Sequence, residues 1–201
     1  MSIALVQAEA LGVRFNDDLA KSRFWEKNPT PVATKCLQTF LEHLPGKKVL
    51  DLGCGHGQYT PLFIKNGCKY LGIDYSPEMI SAARKQNPKA RFQIMSLNRL
   101  DVEKGLAGVW ACHSITNTPK AIFKESLEKI RTLLMPKGVM MTVIPNHGFS
   151  HDGMIEYDRT SAWHTAYYPE EIRGLFLHAG FQVTGFWKDQ QHETMSLLAV
   201  R

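Results

Sequence analysis

The chain has 201 residues, 44% of them apolar, and a formal charge of +5. That length suits one compact domain with a sizeable core and leaves little room for a second. No long run of like charges marks a nucleic-acid stripe and no apolar run approaches the ~20 residues of a membrane span, so the excess lysine reads as solvated surface.

Residues 1–48 carry no strand signal. Val32, Cys36, Phe40, Leu41 and Leu44 form a helical stripe that Pro45-Gly46 ends. Ahead of it, Phe15, Phe24 and Trp25 fit equally a lid over a site or ordinary core packing.

From Lys48 onward strands and helices alternate. Val49-Leu50-Asp51-Leu52 reads as a short buried strand that runs into Gly53-Cys54-Gly55-His56-Gly57, and helical periodicity resumes at Tyr59. Alternating glycines let a ligand approach the main chain without meeting a Cβ. A second strand, Lys69 to Asp74, ends in a carboxylate about 20 residues past the first glycine, where an acid can accept hydrogen bonds from ribose hydroxyls. Ser76-Pro77-Glu78 then opens a helix as N-cap, first-turn proline and dipole-matched acid.

The third strand is Arg91 to Met95 and the fourth Gly108 to Ser114, followed by a helix with Ile122, Phe123, Leu127, Ile130 and Leu134 on one face and a turn at Met135-Pro136-Lys137-Gly138. Val139 to Ile144 is the most continuous apolar run, as for a strand buried on both faces. Residues 146–168 lack periodicity but are rich in aromatics and histidines, which predicts an ordered functional loop. A helix from Pro169 to Ala179 and two strands, Phe181 to Trp187 and about Glu193 to Val200, complete the chain.

The cysteines Cys36, Cys54, Cys68 and Cys112 show no Cys-x-x-Cys pair or zinc spacing and read as reduced thiols. The N-terminus lacks a basic segment ahead of an apolar one, so the expected location is cytoplasmic.

Three stretches together resemble the class I S-adenosylmethionine-dependent methyltransferases. They are the Asp-x-Gly-x-Gly-x-Gly run from Asp51 to Gly57, the Gly72 to Ile80 segment around Asp74, and the Ala179-Gly180-Phe181 entry to a terminal hairpin. The resemblance implies a Rossmann-like, doubly wound α/β fold with a seven-stranded sheet, mostly parallel, its C-terminal strands antiparallel. It also implies S-adenosyl-L-methionine as cofactor and in-line methyl transfer, for which the protein aligns the reactants and excludes water. By the same resemblance Asp51, Gly53, Cys54, Gly55, Gly57, Asp74, Tyr75, Met79, Ser96, Leu97 and Cys112 are the cofactor-side residues. Ser96 stands where the family usually has an aspartate for the adenine amino group, so adenine recognition is expected to lean on backbone near Leu97.

A base is required only for a protonated acceptor. His147, His113 and His164 are the candidates, since each can titrate near neutrality. Trp25 and Tyr167 are the expected substrate contacts, with residues 1–47 as a helical lid and 146–168 as a substrate loop of a single domain. His147, His151 and Asp152 are too irregularly spaced to read as a metal site, and none is expected. A small-molecule acceptor is the first reading, with no membrane or nucleic-acid partner. The alternatives are a methyltransferase acting on protein or RNA and a non-catalytic cofactor-binding module, with an oxidoreductase third.

Overall fold

The computed structural model describes residues 3–21, 31–157 and 160–201. Trp25 and Phe24 lie outside them. Five parallel strands form the body of a seven-stranded sheet: β1 (Lys48–Leu52), β2 (Lys69–Asp74), β3 (Arg91–Ile94), β4 (Leu106–Cys112) and β5 (Leu134–Pro145). Two further strands, which we label β8 (Gln182–Asp189) and β9 (Thr194–Val200), complete it in the order β3-β2-β1-β4-β5-β9-β8. β9 runs antiparallel to both β5 and β8, so the terminal hairpin is inserted at the sheet edge as the sequence predicts.

Helices cover both faces. α2 (Pro31–Glu42), α3 (Thr60–Lys65) and α4 (Pro77–Gln86) pack Phe40, Phe63, Ile80 and Ala83 on one side, around Trp110. α5 (Lys120–Leu133) and α6 (Pro169–His178) pack Phe123, Leu127, Ile130, Ile172 and Phe176 on the other. β4 is buried along its whole length because it lies between β1 and β5 with helices on both faces.

The turn expected at Met135 to Gly138 is instead an irregularity inside β5. Lys137 takes φ +63 there, and the pairing with β4 shifts between Leu106 and Gly108.

The loop expected over 146–168 is a separate antiparallel hairpin of β6 (His151–Tyr157) and β7 (Thr160–Ala166). Its alternation is hard to read in the sequence because small and polar residues fill both faces. Asp152 fastens it: Oδ1 accepts from Trp163 Nε1 at 2.8 Å and from the backbone amide of Lys120 at 3.2 Å, at the start of α5. Thr165 Oγ1 donates to the Thr118 carbonyl at 2.7 Å. The N-terminal helix α1 (Ile3–Lys21) packs against α4 and β7, across the carboxyl ends of the parallel strands.

Candidate active site

The cleft at those strand ends begins with the glycine loop. Gly53, Gly55 and Gly57 all have positive φ, at +68, +54 and +80, but they do different work. A Cβ on Gly53 would lie 2.2 Å from that of Ser114, and one on Gly57 would lie 2.8 Å from Asn87 Nδ2, so both glycines pack the loop against its neighbours. A Cβ on Gly55 would meet nothing within 4 Å. Gly55 therefore presents bare backbone to a cavity of about 100 Å³.

Gly53, Cys54, Asp74, Tyr75 and Met79 line that cavity with Gly55, and Cys112 and His113 close it from the end of β4. Asp74 is fixed from two sides. Its Oδ2 accepts from the Gly55 amide at 3.0 Å and its Oδ1 from the Ser76 amide at 2.9 Å. Burial raises its pKa to about 6, against the lowering effect of those two amides.

Asp51 does not reach the cavity. It is 1% exposed and accepts from Tyr70 Oη at 2.8 Å, which in turn accepts from Thr60 Oγ1 at 3.0 Å. Burial pushes its pKa to about 7, opposed by the Tyr70 bond and reinforced by the charge of Asp74. Asp51 thus ties β1 to β2 beneath the loop and is not among the residues that line the cavity. Gly57 is likewise a packing residue outside the cavity lining.

A second cavity of about 30 Å³ adjoins the first across Tyr75 and Asn117, which line both. Ser96 and Leu97 stand there, with Pro119 and Ile122 from the start of α5. The two cavities make one groove along the ends of β4, β1, β2 and β3.

The three histidines part company. His113 lines the first cavity at φ +55, a left-handed conformation in which a non-glycine residue at a cleft marks local strain. Burial lowers its pKa, so the imidazole is neutral at pH 7. His147 and His164 do not line the groove. They cluster with His151, at ring-centroid distances of 5.3 Å for His147 and His164 and 5.9 Å for His151 and His164. Burial, and then repulsion from those two neighbours, lowers the pKa of His164. Among the described residues, no three or more His, Cys, Asp or Glu are grouped to hold a metal ion.

Tyr167, expected as a substrate contact, is 1% exposed, packs edge-on to Phe123 at 6.2 Å and lies in the core. Cys112 donates to or accepts from Tyr59 Oη at 3.3 Å, and burial raises its pKa to about 12, which keeps it a neutral thiol.

Sequence reasoning expected an N-terminal lid but did not single out the residues of α1 that meet the groove. Asn16 lines the first cavity, and its Nδ2 donates to Tyr75 Oη at 2.7 Å. Gly12 permits the approach, because a Cβ there would lie 2.8 Å from the same hydroxyl. Asn117, just past β4, was missed as well. No spacing rule marks these positions, since they meet the groove only through packing.

Residues 49–138, which hold the glycine loop, Asp74 and His113, match the methyltransferase domain family. Over that segment the chain is similar to the S-adenosylmethionine-dependent methyltransferases. The chain is 32% identical over 103 residues to trans-aconitate 2-methyltransferase of Escherichia coli, an alignment covering 50% of this chain and 40% of that one. It therefore spans well under two thirds of the length of that relative. In fold it is similar to the structure of a DhpI complex with S-adenosylhomocysteine, at TM-score 0.76 and 18% identity over 99% of this chain and 98% of that one. It is similar also to a 1,6-didemethyltoxoflavin methyltransferase of Burkholderia thailandensis, solved with that compound and S-adenosylhomocysteine. There the TM-score is 0.74 and the identity 19%, over 100% of this chain and 92% of that one. No helix among the described residues is long and apolar enough to cross a membrane.

Proposed function

We propose that this chain binds S-adenosylmethionine along the groove and passes its methyl group to a small-molecule acceptor. The observation that carries the reading is the open backbone of Gly55 beside the buried Asp74 carboxylate: a wall without a Cβ next to a fixed acceptor suits a ribose and its neighbouring chain. A carboxylate there also suits an unphosphorylated ribose, since it would repel a phosphate.

Asp74 would accept from the ribose hydroxyls, and Gly53 to Gly55 would lie against the rest of the ligand. Met79 and Tyr75 supply apolar surface, and α1, through Asn16, closes the groove against water. When bound, the cofactor supplies a methyl group already activated by a positive sulfur. His113 is the base for an acceptor that must lose a proton, because it is the candidate histidine in the groove and its ring is neutral at pH 7. A small acceptor is supported by the substrates named for two similar proteins, trans-aconitate and 1,6-didemethyltoxoflavin. In this reading the whole chain acts as one domain, with the N-terminal helical segment as lid and the 146–168 hairpin on the acceptor side.

The test is calorimetric titration with S-adenosylmethionine, S-adenosylhomocysteine and NAD, then a panel of small carboxylic acids and nitrogen heterocycles scored by S-adenosylhomocysteine release. Binding of the first two ligands but not NAD, with turnover of a small acceptor, is the expected result. Binding of NAD alone would overturn it.

A further inference from the structure

The connection from β3 to β4, residues 95–105, holds only a single 3₁₀ turn, Leu97–Arg99. α3 and α4 cover β2 and β3 from one side, and this connection adds no α-helix of its own to the other. A cavity of about 690 Å³ opens there around the amino ends of β1, β2 and β3, at the far end of the strands from the groove. Exposed Ile64, with Leu71, Val102 and Leu106, gives it apolar surface.

Its charged side chains are mostly cations. Lys48 and Lys69 are direct partners in the register of β1 and β2. Arg91 stands two positions further along, opposite Leu71, and Lys89 lies just ahead of β3. Lys48 is neutralised by Glu103, with Nζ 2.8 Å from Oε2. Lys69, Lys89 and Arg91 make no ion pair among the described residues, and Arg91 reaches Glu103 only as a more distant charge. Asp101 is the one other acid at the cavity. Three cations without an ion pair are thus gathered at one opening, where their mutual repulsion is relieved by a bound anion.

The volume lies within the ~300–1,000 Å³ of small-molecule sites. Arg91 and Gln93 both line the cavity from β3, so its floor is not the continuous apolar stripe that a partner helix requires. A guanidinium grips two phosphate oxygens at once, and ammonium groups beside it act as point charges. We propose that this cavity is a second ligand site, which takes an organic polyphosphate with its phosphates on Lys69, Lys89 and Arg91 and its body against the apolar wall. The proposal stands apart from the cofactor reading, since the cavity shares no lining residue with the groove.

The experiment is calorimetry on the full chain at ~0.15 M salt, where exposed charges are screened beyond about 8 Å. UTP is the probe because it carries neither the adenine nor the methionine of the cofactor. Uridine, which lacks the phosphates, and citrate, an anion without phosphate geometry, should each bind at least about tenfold more weakly than UTP. Lys69→Gln and Arg91→Gln, both at exposed positions, should each weaken UTP by about three- to tenfold. Lys69→Gln removes a like charge from beside Lys48, so the Tm of the free protein should be unchanged or higher, which separates lost binding from lost folding. Asp74→Asn, in the distant groove, should bind UTP within about twofold of the parent. Failure of UTP to bind overturns the proposal. So does equal affinity for UTP and citrate, which would make the cavity a general anion patch. UTP affinity that survives both rim substitutions but is lost in Asp74→Asn would put the nucleotide in the groove and overturn it as well.

Discussion

The Gly55 amide donates to Oδ2 of Asp74 at 3.0 Å, so the glycine loop after β1 and the end of β2 form one wall of the groove. Substitutions on either side of that bond should be felt by the same ligand. Gly55→Val places a branched side chain at φ +54 and projects it into the cavity, and Asp74→Ala removes the acceptor. Each should weaken S-adenosylhomocysteine binding by at least about tenfold in calorimetry, in line with a lost charged hydrogen bond. Unchanged affinity in both would displace the cofactor from this groove.

The raised pKa of Asp74, about 6, gives binding a pH dependence of known sign. Below that value the carboxylate gains a proton and loses acceptor capacity, so affinity for S-adenosylhomocysteine should fall by up to about tenfold per pH unit. Above it affinity should be flat. Asp74→Asn should bind weakly with no such step, which separates Asp74 from His113, whose own titration lies below its ordinary range.

Asp51 makes a prediction about stability instead. Its folded pKa, about 7, is raised from 3.8 by burial, so it contributes stability below about pH 4 that is lost as pH rises through 7. Asp51→Asn keeps an acceptor for Tyr70 without acquiring charge. Its Tm should exceed that of the parent by an amount that grows from about pH 4 to 7 and reaches several degrees at about pH 8. A constant difference across that range would mean that Asp51 is not the titrating group.

The three candidate histidines are separable by kinetics once an acceptor is known. His113→Gln should lower kcat about 10²- to 10⁴-fold and abolish an acid limb that lies below pH 6.5 in the parent, where the neutral ring is lost. His147→Ala and His164→Ala should stay within about twofold, because neither ring lines the groove. A large loss from His164→Ala with a normal His113→Gln would move the acceptor to the β6–β7 hairpin.

Much of the groove was legible before any coordinates. Gly53, Gly55 and Asp74 were found because a buried strand, a turn that needs positive φ and a strand ending in an acid are written within a few neighbouring residues. Ser76 was read as an N-cap for the same reason, and its Oγ does accept from the Met79 amide at 3.0 Å. For Asp51 the motif gives a place near the loop without saying which way its side chain turns. It faces Tyr70, and that follows from the pairing of β1 with β2. Tyr167 is a similar case: an aromatic in a polar stretch reads as a contact residue, whereas its packing on Phe123 of α5 follows only from the fold.

By itself, then, the amino-acid sequence determined the alternation of strands and helices, the terminal hairpin and the glycine-and-acid wall, since each depends on burial period or backbone freedom over short distances. The tertiary structure alone decided that His113 reaches the groove while His147 and His164 do not, and that Glu9 meets Asn98 beside Ser96. Those outcomes depend on strand register and on the docking of α1, where residues distant in the chain converge, and no local spacing encodes that convergence.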